Sequence, residues 1–155
     1  MTLSVLCFLL GFVAGLRSLT APAVVCWAAH LGWLHLAGSK LAFMGHPGTV
    51  AFFTLLAVVE LIADKLPKTP ARTAPPGLIA RIVFSGLCSA ALAISAGGSL
   101  IIAAIVGVIG ALFGTFSGYN IRHALVVRGH LPDLPVALIE DVIAIAGSFL
   151  IVSHL

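Results

Sequence analysis

The apolar residues of this chain fall into long runs, with most of the polar residues gathered between them. Five runs approach the roughly twenty mostly apolar residues that a helix needs to cross a bilayer. They are residues 3–19, 48–65, 78–96, 99–121 and 135–153. None alternates strictly between apolar and polar residues, as a transmembrane β-strand would. Because lipid offers no hydrogen bonds to the backbone, the pattern predicts an all-α, polytopic integral membrane helix bundle of about five spans.

A shorter apolar segment, residues 23–36, has several interpretations. Thr20-Ala21-Pro22 before it is typical of a helix N-terminus with a proline in the first turn. Trp27 and Trp33 favour the boundary between membrane and water. The segment is interpreted as a short interfacial or re-entrant helix or as the tilted continuation of a broken first helix, with a sixth span as the alternative.

Composition supports the membrane interpretation. Of the 155 residues, 61% are hydrophobic and 8% are charged, with a mean hydropathy of +1.20. Soluble domains average about 45–50% apolar and about 25% charged residues. The length predicts a single transmembrane domain over residues 1–155. The formal charge of +3 does not indicate a nucleic-acid partner, because the basic residues flank predicted spans, and membrane lipids are the expected surroundings.

The basic residues between the spans orient the chain. They are Lys65, Lys68, Arg72 and Arg81 around the second connection, Arg122 and Arg128 in the fourth, and Lys40 alone on the opposite side. With five spans, both basic connections fall on one side, which the positive-inside rule makes cytoplasmic. The N-terminal run has no Lys or Arg before it, so a retained span is expected rather than a cleaved signal peptide. The N-terminus is therefore expected inside and the C-terminus outside.

Two predicted spans carry glycines at close spacing. They are Gly11 and Gly15 in the first, and Gly107, Gly110, Gly114 and Gly118 in the fourth. Glycines four residues apart lie on one helix face and let another backbone approach closely. The pattern predicts close helix packing, either static within one bundle or as a sliding surface or homodimer seam.

The two glycine segments also resemble each other. GFVAGLR at residues 11–17 and GTFSGYN at residues 114–120 share their spacing, and AVVE at 57–60 resembles ALIE at 137–140. The first and fourth spans are expected to run in opposite directions. The match therefore predicts inverted half-repeats, residues 1–96 and 99–155, a device common in transporters.

Charges inside the apolar runs are the candidate site. A charge at membrane depth costs at least about 2.5–3.5 kcal/mol on insertion scales, so it normally meets a partner or a polar pathway. Arg17, with Ser18 beside it, lies about 21 Å along the first span. Arg17 is expected to bind an anion, to pair with Glu60 or Glu140, or to snorkel outward. Glu60 is the deep carboxylate and a candidate proton carrier, and Asn120 either lines the polar centre or bonds across helices.

The remaining polar residues have simpler expected roles. Asp64 is expected to be solvated at the interface, and Asp141 to cap the helix that follows Pro135. The histidines and cysteines show no metal or CxxC spacing. No nucleotide-binding or hydrolytic motif is present, so no metal, no cofactor and no enzymatic activity are expected.

Two segments resemble a known family. GLRS at residues 15–18 and ELIADKLP at residues 60–67 are similar to the bacterial small membrane proteins grouped as domain of unknown function 4126 (DUF4126). The resemblance covers nearly the whole chain. It implies an integral protein of the bacterial inner membrane and supplies no activity.

These features predict a small transporter- or channel-like protein whose cargo is an ion or a small anionic solute. Its polar centre would consist of Arg17, Ser18, Glu60, Asn120 and Glu140. Since five spans make a small bundle, a homodimer or higher homo-oligomer is expected. The alternative is a non-transporting scaffold or assembly protein whose buried charges are structural pairs.

Overall fold

Six helices form the bundle in the computed structural model, which describes residues 2–66 and 73–155 and contains no strand in them. The helices are α1 (Leu3–Leu16), α2 (Thr20–His30), α3 (Pro47–Ala63), α4 (Pro75–Ala96), α5 (Leu100–His123) and α6 (Asp133–Ser153). A 3-10 turn, Ala42–Gly45, precedes α3, and a π-helical turn, Ala124–Arg128, extends α5. The predicted all-α architecture is confirmed.

Among the described residues, three helices are long and apolar enough to cross a bilayer. They are α4, α5 together with its π-helical turn, and α6. The apolar helices α1 and α3 have 14 and 17 residues, fewer than the roughly twenty of an ordinary crossing. Large apolar side chains such as Ile101, Phe113 and Val142 are 73%, 62% and 65% exposed, as suits a surface in contact with lipid. The count of five spans stays a prediction.

The first apolar run is broken at Arg17. Helix α1 ends at Leu16 because Arg17 adopts an extended conformation, with φ −138° and ψ 113°. Helix α2 begins three residues later, at Thr20, and has Pro22 in its first turn, where the missing proline N–H is not needed for a helical hydrogen bond. A helix start at this position is confirmed, but Thr20 is the first residue of α2 and Leu19 is its N-cap.

Helix α2 runs back along the bundle, antiparallel to α1 and α3. Its Trp27 donates its Nε1–H to Thr54 Oγ1 of α3 at 3.0 Å. Beyond its end, His35 donates its backbone N–H to Ser95 Oγ, near the end of α4, at 3.0 Å. Eight of the eleven residues of α2 are buried. It is therefore the inner return arm of a hairpin, and the tilted continuation of α1 is wrong. An interfacial or re-entrant helix and a sixth span stay predictions.

The glycine faces of α1 and α5 lie against each other. A Cβ added to Gly11 would overlap the backbone carbonyl of Gly107, and one on Gly15 would overlap that of Ala111. The backbone of α1 likewise lies against Gly110 at Phe8 and against Gly114 at Phe12. Glycine is required because any side chain would force the two backbones apart. This face is filled within the protomer, so it is not a homodimer seam.

Helices α1 and α5 run in the same direction. Residue numbers rise together along the contact, from Gly11 on Gly107 to Gly15 on Ala111, and Leu3 meets Gly98 just before α5. The expected inverted relation between the two glycine segments is therefore wrong. The physical reason is the extra reversal made by α2, which changes the direction of every later helix relative to α1.

Both termini lie at one end of the bundle. Helix α6 is antiparallel to α1, since Val13 packs beside Gly147 while Arg17 reaches back to Asp141. The opposite end holds the C-terminal end of α3 and the α5–α6 connection. The prediction that the N-terminus and the C-terminus lie on opposite sides of the membrane is thus not supported, again because α2 adds a reversal of chain direction.

Replacing Gly11 by Ala should lower the stability of the protein by about 1–3 kcal/mol, because overpacking a close helix contact forces backbones apart. The matched control is Gly86→Ala in α4, where an added Cβ would meet only Val108 Cγ2, at 3.7 Å. Thermal unfolding of the detergent-solubilised variants, followed by circular dichroism, measures the difference. Equal unfolding temperatures for Gly11→Ala and wild type would contradict the close contact.

Candidate functional site

All five acidic residues of the chain gather at the end of the bundle away from the termini, where, among residues 2–66 and 73–155, three basic residues pair with them. We call the group the charged cluster. Its members are Arg17, Glu60, Asp64, Lys65, Arg122, Asp133, Glu140 and Asp141. They come from the α1–α2 turn, the end of α3, the end of α5 and the first half of α6. Four separate stretches of sequence therefore converge on one polar site.

Arg17 is the centre of the charged cluster. Its residue is 1% exposed. Its Nη1 lies 2.7 Å from Asp64 Oδ2, and its Nη2 lies 2.5 Å from Asp141 Oδ1. The extended backbone at Arg17 turns the side chain inward, so it bridges the end of α3 and the third turn of α6. The expectation of an outward-snorkelling Arg17 is wrong, and its partners are not the expected Glu60 and Glu140.

Each carboxylate that holds Arg17 also holds a second cation. Asp64 Oδ2 accepts from Arg122 Nη1 at 2.8 Å, and Asp141 Oδ2 accepts from Lys65 Nζ at 2.6 Å. A buried ion left without a partner costs several kcal/mol, so a second partner protects each carboxylate. Either bond to Arg17 can therefore break without leaving a bare buried carboxylate.

Arg122 ties the end of α5 to the start of α6. Its Nε and Nη2 donate to Asp133 Oδ1 and Oδ2 at 2.8 and 2.7 Å, the bidentate fork for which a guanidinium is suited. Glu140 Oε2 lies 3.9 Å from Arg122 Nη1. The Asp133 side chain is 54% exposed, so this side of the charged cluster is its outer rim.

Glu60 closes the break between α1 and α2. Its Oε1 accepts from the backbone N–H of Ser18 at 2.9 Å and from Ser18 Oγ at 2.5 Å. Its Oε2 accepts from the backbone N–H of Leu19 at 2.9 Å. The start of a helix carries partial positive charge and unpaired N–H groups, which favour an anion. The helix start thus holds an anion, and that anion is the protein's own carboxylate.

The structure brings together four of the five predicted site residues. Arg17, Ser18, Glu60 and Glu140 belong to the charged cluster or bond to it. Asn120 does not: its side chain is exposed on α5 and has no hydrogen-bond partner within residues 2–66 and 73–155. Its expected role in the polar centre is wrong, because it lies on the outer face of α5 away from α1.

Sequence reasoning missed two principal partners of Arg17. Asp64 was expected to be solvated and Asp141 to be a helix cap, yet Asp141 lies in the third turn of α6 and is buried. A signal was available. Asp141 follows Ala137 by four residues and precedes Ala144 by three, so it falls on the buried stripe of α6.

The residues predicted to form a basic connection are only partly described. Lys68 and Arg72, with Pro67 and Pro70, lie outside the described residues. Arg81 lies within α4 and is buried, so it is not a loop residue. Arg128, which was predicted on the same side of the membrane, is exposed at the end of the π-helical turn.

An apolar cavity of about 200 Å³ adjoins the charged cluster between α1, α5 and α6. Its wall is formed by Phe12, Leu16, Gly118, Ile121, Leu125, Val136 and Ile143, with Arg122 and Glu140 as the charged members. Helices α5 and α6 make few direct contacts, which leaves room for the cavity between them.

Within the part of the chain that the structure describes, no three His, Cys, Asp or Glu side chains are arranged to hold a metal ion. The carboxylates of the charged cluster instead face cationic side chains. Cys7, Cys26 and Cys88 are buried free thiols. That the chain needs no cofactor and is not an enzyme remains an expectation.

Membrane-length helices, lipid-compatible surfaces and buried ion pairs define this fold as a helical bundle of membrane-protein type. The chain belongs to the family described as Domain of unknown function (DUF4126), whose model matches residues 5–154. The resemblance inferred from residues 15–18 and 60–67 is thereby confirmed over nearly the whole chain. No curated protein and no solved structure matches it.

Replacing Glu60 by Gln should destabilise the α1–α2 turn by about 1–3 kcal/mol, because the amide NH₂ would face a buried N–H donor that then lacks an acceptor. The matched control is Asp133→Asn, whose more exposed carboxylate makes ion pairs that water screens. Unfolding temperature and backbone hydrogen exchange at residues 18–20 measure the effect. Unchanged protection at these amides in Glu60→Gln would contradict the capping role.

Proposed function

We propose that the protein is a small transporter- or channel-like membrane protein in which Arg17 binds the cargo, an ion or a small anionic solute. The observation that carries the proposal is the double pairing around Arg17. An arriving anion can replace Asp141 on Arg17 while Asp141 keeps Lys65, or replace Asp64 while Asp64 keeps Arg122. Exchange of partners avoids the several kcal/mol that an unpaired buried charge costs.

The other members of the charged cluster take supporting roles in this proposal. Ser18 and Glu60 hold the turn that carries Arg17, since both carboxylate oxygens of Glu60 already accept hydrogen bonds. Glu140 forms part of the cavity wall, so it is the better candidate for coupling proton movement to the cargo. Intramembrane carboxylates of this kind commonly serve as proton relays.

The proposed orientation follows from the basic residues. Lys65, Arg122 and Arg128 lie at the end of the bundle with the charged cluster, whereas Lys40 lies at the end with the termini. From the positive-inside rule we propose that the charged cluster lies on the cytoplasmic side and that both termini lie outside. We propose the bacterial inner membrane as the location, surrounded by membrane lipids.

The alternative is a non-transporting scaffold or assembly protein. It is favoured by the direct pairing of Arg17, which joins α3 and α6 to the α1–α2 turn. In this proposal the ion pairs fix helix register. A homo-oligomer would then use the exposed apolar faces of the helices, because the glycines of α5 already contact α1 within the protomer.

Anion flux into proteoliposomes tests the leading proposal. With chloride, nitrate, acetate and phosphate as probes under an imposed pH gradient, Arg17→Met should reduce flux at least tenfold in folded protein. Asp141→Asn should lower the apparent KM for the anion, because it weakens the internal competitor for Arg17. The matched control, Lys40→Gln at the other end of the bundle, should behave as wild type. No flux of any probe in wild type would favour the scaffold.

Exchanging the charges of one pair separates the two proposals. The exchange Arg17→Asp with Asp141→Arg is made together with Asp64→Asn and Lys65→Gln, because the new charges would otherwise meet the like charges of Asp64 and Lys65. It then retains an ion pair between the same two positions. If the charges are only structural, it should recover the unfolding temperature and the function lost in Arg17→Asp alone. If Arg17 binds the cargo, it should recover stability but not flux.

A further inference from the structure

The cavity between α5 and α6 has the form of a cleft that is open to the surroundings. Of its wall residues, Leu125 in the π-helical turn and Ile143 on α6 are 38% and 54% exposed, while Leu16 of α1, at the back, is 7% exposed. The wall is apolar except for Arg122 and Glu140. The cleft is thus accessible from outside the bundle and deepens toward α1.

The chemistry of the cleft favours a hydrocarbon occupant. Apolar cavities of about 150 Å³ stay dry and bind apolar groups as large as benzene, and this one is larger. Helices α5 and α6 are two of the three helices of membrane length, so the cleft between them opens onto hydrocarbon in a bilayer. An acyl chain is the apolar group present at that depth.

A basic residue ends the helical segment that forms one side of the cleft. Arg128 is exposed and ends the π-helical turn that extends α5, six residues after Arg122. π-helical turns are rare and frequently occur at functional sites. Basic residues at the cytoplasmic ends of membrane helices attract anionic lipid head groups.

We infer that the cleft between α5 and α6 binds one acyl chain of an anionic membrane phospholipid, with the lipid phosphate on Arg128. The apolar wall favours the acyl chain, and the guanidinium of Arg128 favours a negatively charged head group. This inference does not depend on transport, since a scaffold would carry the same lipid.

Native mass spectrometry of protein extracted from vesicles of equal phosphatidylglycerol and phosphatidylcholine tests the inference. Wild type should retain one phosphatidylglycerol per protomer. Ile143→Trp fills the cleft and should retain at least tenfold less lipid. The matched control, Ile139→Trp, places the same ring on an exposed part of α6 outside the cleft and should retain as much as wild type.

The variant Arg128→Gln tests recognition of the head group separately from binding of the acyl chain. This variant should still retain one lipid but should lose the preference for phosphatidylglycerol over phosphatidylcholine. Equal lipid retention by Ile143→Trp and Ile139→Trp would overturn the inference. So would a lipid-free wild-type species of twice the protomer mass, which would identify a second copy as the occupant. If Ile143→Trp unfolds, Leu125→Trp fills the cleft from α5 and gives the same test.

Discussion

A buried guanidinium is the constraint on which the rest of the structure depends. Arg17 is taken out of water in a bundle whose surroundings are apolar, so its charge must be met by carboxylates. Asp64 and Asp141 meet it from α3 and α6. For this to happen α1 must end at Leu16, and the end of α3 must lie level with the third turn of α6. One side chain thereby fixes the relative positions of three helices.

The break between α1 and α2 lets Arg17 reach its carboxylate partners. It also leaves backbone N–H groups at the start of α2 that need a hydrogen-bond acceptor. Glu60 supplies it, one turn before Asp64 on the same helix. The close packing of α1 on α5 provides the other support. Hydrophobic burial does not draw helices together in lipid, so backbone contact at Gly11 and Gly15 and its van der Waals attraction take that role. Charged groups thus hold the α1–α2 turn, and close packing against α5 holds α1 along its length.

A charged network of this kind is weak evidence for stability alone, because desolvation offsets much of the attraction between buried ions. Its sharing of partners is more informative. Asp64 and Asp141 each join two cations, so each keeps one cationic partner if its contact with Arg17 is lost. The apolar cavity lies directly beside this network, with Arg122 and Glu140 in its wall. The network of shared ion pairs and the apolar cavity therefore lie side by side at one end of the bundle.

The sequence by itself determined the all-helical, membrane-type fold, the close-packing glycine faces and the importance of Arg17 and Glu60. These follow from composition, spacing and the cost of charge in lipid, all of which are local properties. Only the tertiary structure decided that α2 turns back, since a continuing helix and a returning one have the same local pattern around Pro22. That reversal made α1 and α5 parallel. It also decided that Asp64 and Asp141 hold Arg17, because ion-pair partners distant in sequence are selected by the way the helices pack.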